Sequence, residues 1–116
     1  MKDDAEYYLS LNNENINRIS ERREIYNNFM NLLVQFKNHL SSIQNSFNKA
    51  LFDYKNGGYI NDGVTLDNGT LDELIKIIDN NISVISDTIN NISNEINQMN
   101  SQINSLQKLN QELLSQ

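Results

Sequence analysis

The chain contains no cysteine, no proline and no tryptophan, and only four glycines among its 116 residues. Without cysteine it cannot build a disulfide scaffold, a thiolate metal site or a cysteine nucleophile. Without proline nothing interrupts a long helix. The apolar fraction of 38% is below the roughly 45–50% of ordinary globular chains, which argues against a large round core.

Basic residues are also scarce, because nine Lys and Arg face fifteen Asp and Glu and the net charge is −6. This balance argues against nucleic acid as a partner. No apolar run approaches the roughly 18 residues that span a bilayer, so no membrane insertion is expected. The start Met1–Glu6 lacks the basic and apolar regions of a signal peptide. We expect a protein that is cytoplasmic before export and that is secreted, if at all, without a cleavable signal.

The second half of the chain carries a regular apolar repeat, with residues alternately four and three apart from Leu71 onward. This spacing is a heptad seam and predicts a long coiled-coil helix. Its a positions are Ile75, Ile82, Ile89, Ile96, Ile103 and Asn110, and its d positions are Leu71, Ile78, Ile85, Ile92, Met99, Leu106 and Leu113. Asparagine, with 22 copies the most unusual feature of the composition, falls mostly outside this seam.

The first half shows the same period, with Tyr26 at a and Phe29 at d. This frame assigns the seam to Tyr26, Phe29, Leu33, Phe36, Leu40, Ile43, Phe47, Ala50 and Tyr54, and it projects Arg22 into the seam.

All four glycines lie between these segments, within residues 55–69. Gly57 or Gly58 suits the end of the first helix, and Thr70 with Glu73 forms a capping box that begins the second. We predict an all-α fold, an antiparallel hairpin with a helix over about 4–55, a turn over about 56–69 and a helix over about 70–114. A short β-like excursion within the turn is an alternative.

A register for the hairpin follows if Tyr54 and Leu71 face each other, so that opposed residues have numbers that sum to 125. Asn15 then lies opposite Asn110. A polar pair in an apolar seam can fix register, which makes Asn15 and Asn110 candidate register-specifying residues. The alternative is that both are solvated near the helix ends.

Several apolar residues fall outside the seam and cannot be buried by two helices. Apolar surface of this kind marks an association site, and Arg22 joins it as a residue that must snorkel, pair or contact a partner. The alternative is that these are scattered single hydrophobes of the ordinary kind. The candidate partner-binding residues are Ile25, Met30, Leu32, Val34, Leu74, Ile77, Val84 and Arg22. We expect the hairpin to complete a larger helical bundle, as a homo-oligomer or with another protein.

Residues for catalysis are few. His39 is the single histidine and is expected at the surface, and no acidic stretch fits a calcium-binding loop. Arg18, Arg22 and Arg23 lie near Glu14 and Glu21, which favours pairing within the helix. We expect no enzyme activity, no cofactor and no metal site.

The helix–turn–helix layout, the opening Tyr7-Tyr8-Leu9-Ser10-Leu11 and the following Ile16 and Ile19 resemble the small helical-hairpin proteins of type VII secretion, which form a WXG-like superfamily. They resemble in particular the YwqH-like helical partners of LXG toxins. The Trp-x-Gly motif of the WXG group is missing. The resemblance implies a non-enzymatic partner that binds the helical N-terminal domain of an LXG-type toxin and assists its secretion.

Two other classes have the same sequence pattern. One is a phage-derived coiled-coil protein, either structural or an inhibitor of a host defence enzyme. The other is a homo-oligomeric scaffold.

Overall fold

The computed structural model describes residues 2–56 and 68–115 as two long helices, α1 (Lys2–Asn56) and α2 (Asn68–Leu114). They form an antiparallel hairpin, which confirms the predicted all-α fold. The helix ends differ from those predicted by at most two residues. The predicted turn features at Gly57 and Gly58, and the possible β-like excursion, lie outside the described residues.

The start of α2 differs from the sequence prediction in one detail. Because the helix begins at Asn68, its first turn contains no acidic residue, and Asp72 and Glu73 lie in the second turn. The helix dipole acts mainly within the first turn, so these two carboxylates lie beyond its strongest effect. The Thr70 side chain lies outside the described residues, and the capping box stays a prediction.

The seam of α2 is as predicted. Ile85, Ile96, Met99 and Ile103 are buried, and the other described a and d residues are half-buried. Met99, with 4% of its surface exposed, is the most buried of them. Packing of this stripe explains why a helix so rich in asparagine is stable, since tertiary contacts supply most helical stability.

The seam of α1 is rotated from the predicted one. The a positions Tyr26, Leu33 and Leu40 face inward, but the second inward stripe is the e position, one residue after the predicted d. The half-buried e residues are Leu9, Ile16, Arg23, Met30, Lys37, Gln44 and Leu51. Phe29 and Phe36, predicted in the seam at d, are 52% and 54% exposed.

Hydrogen bonds explain how polar e residues are tolerated in the seam of α1. Arg23 Nη1 donates to Asn100 Oδ1 at 2.9 Å, and Gln44 Nε2 donates to Asp79 Oδ1. The long stems of these side chains pack along the helix while the polar ends pair with α2. The a and e side chains therefore face the isoleucine seam, and Phe29 and Phe36 lie outside it.

The register also differs from the predicted sum of 125. Residues joined across the helices have numbers that sum to 122 or 123, as for Asn12 with Asn110 and Gln44 with Asp79. The predicted pairing of Asn15 with Asn110 is therefore wrong. The predicted register assumes that Tyr54 and Leu71 are level at the helix ends, whereas α1 ends two residues after Tyr54 and α2 begins three residues before Leu71.

The chain divides into two units. Unit 1 comprises Met1–Asn31 and Asn90–Gln116, and unit 2 comprises Leu32–Ile89. Each unit contains a segment of both helices. Unit 1 holds the buried residues Ile96, Met99 and Ile103, and unit 2 holds Ile85.

Candidate functional site

Most of the predicted partner-binding residues are exposed, namely Ile25, Leu32, Val34, Leu74, Ile77 and Val84. Ile25 and Val84 are the most open of them, at 66% and 63%. Met30 is an exception, because it lies at an e position and is half-buried in the seam with α2. The prediction that Met30 lies outside the seam is wrong for that reason.

The sequence frame missed four exposed residues of α1 by placing them in the seam. These are Phe29, Phe36, Ile43 and Phe47. A second three-and-four spacing through Ile25, Phe29, Leu32 and Phe36 was the signal that could have found them. Helix α1 thus carries two apolar stripes, and only one of them contacts α2.

In unit 2 most of the exposed apolar residues of both helices lie on one side of the seam, with Val34 and Phe52 of α1 as exceptions. Gln44 and Asp79 are hydrogen-bonded from e positions of α1 and α2, so the e positions mark one flank. Residues three and four apart share a helix face. The d and g positions of α1 therefore lie on the opposite flank, and the g and c positions of α2 lie on that same flank. We call this opposite side the apolar flank. Its residues are Leu32, Phe36, Ile43, Leu74, Ile77 and Val84, together with Phe47, an exposed a residue at its border that lines the same groove as Ile43.

The same pairing of positions occurs independently in unit 1. A shallow groove there is lined from α1 by Asn15 at d and Arg18 at g, and from α2 by Gln102 at g and Ser105 at c. The d and g positions of α1 therefore lie beside the g and c positions of α2. In unit 1 these positions are mostly polar, in contrast to the apolar flank of unit 2.

Polar atoms on the apolar flank are largely satisfied within the chain. Ser46 Oγ donates to the carbonyl oxygen of Ser42, and Thr88 Oγ1 donates to that of Val84. A hydroxyl bonded in this way loses little when water is excluded. His39 lies here too and is exposed, as predicted. It lines a shallow groove with Ser42, Ile43, Ser46, Phe47 and Ala50.

Arg22 does not enter the seam, so its predicted position is wrong. It is exposed, and its guanidinium lies 5.3 Å from the centre of the Tyr26 ring, with Nη2 donating to the Tyr26 hydroxyl at 3.2 Å. The hydrogen bond to Tyr26 raises the pKa of Arg22 above its ordinary value, and the charge of Glu95 adds to this shift. The rotation of α1 explains the difference, because it places Arg23 in the seam instead.

The other arginines differ in how they pair. Arg18 forms a salt bridge of 2.7 Å with Glu14, one turn earlier, which confirms the predicted pairing within the helix. Arg23 instead bonds across to Asn100. A neighbouring polar cluster joins Asn110 to Asn12 at 2.9 Å and to Asn13 at 3.0 Å. Asn15, the predicted partner of Asn110, lines the groove beside Arg18.

Within residues 2–56 and 68–115, no group of three or more His, Cys, Asp or Glu side chains is placed to hold a metal ion. In the same described part of the chain, neither helix contains a stretch apolar enough to cross a membrane. The features that the structure brings together are therefore apolar stripes and interhelical hydrogen bonds.

No family model, curated protein or solved structure matches this chain.

Proposed function

We propose that this protein is a non-enzymatic helical partner that binds the helical N-terminal domain of an LXG-type toxin and assists its secretion by a type VII system. The observation that carries the proposal is the ratio of exposed to buried apolar residues. Four hydrophobic residues are buried and sixteen large ones are exposed in the described part of the chain. A chain with this ratio gains stability by completing a bundle with further helices.

The shape of the available surface favours helices as the partner. The exposed apolar residues of α1 recur three and four apart, and such stripes are covered by other helices with the same spacing. A long helical domain supplies this contact over many turns. The resemblance of the opening Tyr7–Leu11 segment and of the helix–turn–helix layout to LXG partners supports the choice of a toxin domain.

Co-expression tests the proposal. The tagged chain is produced with each neighbouring gene product that carries a long helical N-terminal region, and the mass of the purified complex is measured. A stoichiometric complex with a toxin-like protein is expected. A complex that remains intact after dilution is distinguished in this way from a transient association.

A matched pair of variants links such a complex to the exposed stripe. Ile25→Glu places a charge on the exposed stripe of α1, whereas Asn31→Glu places the same charge at an exposed position outside the stripe. We expect Ile25→Glu to abolish copurification and Asn31→Glu to retain it. A stable homotrimer that ignores every neighbouring product would show that the proposal is wrong and would favour the scaffold class.

A further inference from the structure

The apolar flank of unit 2 is large enough for a specific interface. Seven side chains lie on it, and Phe36 and Val84 expose more than half of their surface. At roughly 150–200 Å² for a large apolar side chain, of which about half is open, they offer on the order of 600 Å². A standard interface needs about 800 Å² from each partner, including its polar rim. The flank and its rim together meet that requirement.

Apart from Asp53 near the end of α1, the flank is also uncharged, although the chain has a net charge of −6. Residues 25–48 of α1 contain no Asp or Glu, and their one lysine, Lys37, is half-buried in the seam with α2. On α2, Asp79 lies on the opposite flank, bonded to Gln44. Two copies of an acidic protein repel each other over most of their surface. They can approach where no carboxylate is present, and the part of the flank formed by residues 32–48 of α1 is such a place.

The two stripes of the flank are complementary in shape to each other. The register of unit 2 places Val84 level with His39, at the point where the stripe of α1 has no large apolar side chain between Phe36 and Ile43. In the same register, polar Asn81 of α2 lies within one residue of the level of Ile43, and polar Thr88 lies within one residue of the level of Phe36. Bulky residues of one stripe therefore match gaps in the other.

We propose that in the free protein a second copy of this chain covers the apolar flank, with α1 of each copy over α2 of the other. A two-fold axis parallel to the helices produces this arrangement and makes both halves of the interface identical. The four segments then form a bundle in which Phe36 and Ile43 of one copy lie on either side of the partner copy's Val84. The dimer goes beyond the proposed toxin partner and does not depend on it.

Sedimentation equilibrium of the full chain, from micromolar to hundreds of micromolar, tests the dimer. We expect a monomer–dimer equilibrium with no larger species. A chain that stays monomeric over this range overturns the proposal, and so does a trimer.

Two valines of unit 2 provide a matched pair. Val84 lies on the apolar flank, whereas Val34 occupies a b position on the other side and is 39% exposed. Val84→Glu and Val34→Glu add the same charge, and glutamate is the better helix former, so neither change weakens its helix. We expect Val84→Glu to weaken dimerisation by at least about tenfold, because it places a charge in an apolar interface. Val34→Glu should change it less than about twofold. Equal effects of the two variants overturn the assignment to this flank.

The absence of cysteine allows a test of the arrangement. A chain carrying His39→Cys is mixed with one carrying Val84→Cys and oxidised gently, and the covalent products are separated by mass. We expect the mixed disulfide to dominate. Dominance of the His39→Cys self-disulfide would place α1 over α1 and overturn the proposed arrangement.

Different results contradict the proposed dimer and the proposed function. A chain that is monomeric alone but copurifies with a toxin domain overturns the dimer and supports the function. A dimer that ignores every toxin domain supports the dimer and contradicts the function.

Discussion

Asn12 donates a hydrogen bond of 2.9 Å from Nδ2 to Oδ1 of Asn110, across the two helices of unit 1. Both residues occupy a positions of their heptads, where an apolar side chain is the usual choice. Asn110 in turn donates to Asn13. A polar pair at such positions favours one register at some cost in stability.

The double variant Asn12→Leu/Asn110→Leu tests this cost. We expect the free energy of unfolding to rise by about 1–2 kcal/mol, because two half-buried amides are replaced by apolar contacts. Urea denaturation followed by circular dichroism measures the change. Asn104→Leu, at an exposed position of α2, serves as the control and should have little effect. A loss of stability in the double variant would contradict this explanation.

Arg23 and Arg22 are adjacent but make different contacts. Arg23→Ala removes the 2.9 Å bond to Asn100 and should lower the free energy of unfolding by about 1–2 kcal/mol, since hydrogen bonds to charged groups exceed the average and this one is half-buried. Arg22→Ala removes an exposed contact with Tyr26, and the urea midpoint should stay unchanged. Equal losses from both variants would indicate that Arg23 does not bridge the helices.

Met30 and Phe29 distinguish the two possible seams of α1. The structure places Met30 against α2 and leaves Phe29 exposed. Met30→Ala should therefore destabilise the dilute monomer by about 2 kcal/mol, and Phe29→Ala by less than about 1 kcal/mol, despite the larger side chain. The reverse order would support the seam predicted from the sequence.

How far the sequence predicts the fold differs between the helices. In α2 an apolar residue occupies every a and d position from Ile75 to Leu106, so its inward face follows from periodicity alone. In α1 apolar residues recur at a, d and e, and nothing local decides whether Phe29 or Met30 faces α2. The choice depends on fit to the isoleucine seam and on partners for Arg23 and Gln44, which are tertiary contacts.

In the candidate site, too, the sequence predicts the exposure of some residues and not of others. Ile25, Leu32 and Val84 were predicted as exposed because they lie outside any single seam. Phe36 and Ile43 were missed, because their exposure depends on the rotation of α1. The register was misjudged by two to three residues because it rested on assumed helix ends, whereas side chains such as Asn110 and Asp79 define it.

Salt provides a further test of the uncharged flank. Ion pairs at an interface weaken as ionic strength rises, whereas apolar contacts do not. Because residues 25–48 of α1 carry no carboxylate, we expect the dimer dissociation constant to change by less than about threefold between low and high salt. Sedimentation at several sodium chloride concentrations measures it. A steep weakening with salt would indicate an interface elsewhere on the chain.

Phe29 and Phe36 of α1 lie outside the seam, and in the proposed dimer only another chain covers Phe36. Fluorine NMR of the protein labelled with para-fluorophenylalanine tests this most directly, with the Phe36 signal assigned through Phe36→Leu. The shift of that signal between light and heavy water reports solvent contact. We predict a large solvent shift for Phe36 in the dilute monomer and a small one once the chain associates. A Phe36 signal already shielded from solvent in the dilute monomer would show that Phe36 packs in the seam against α2 instead.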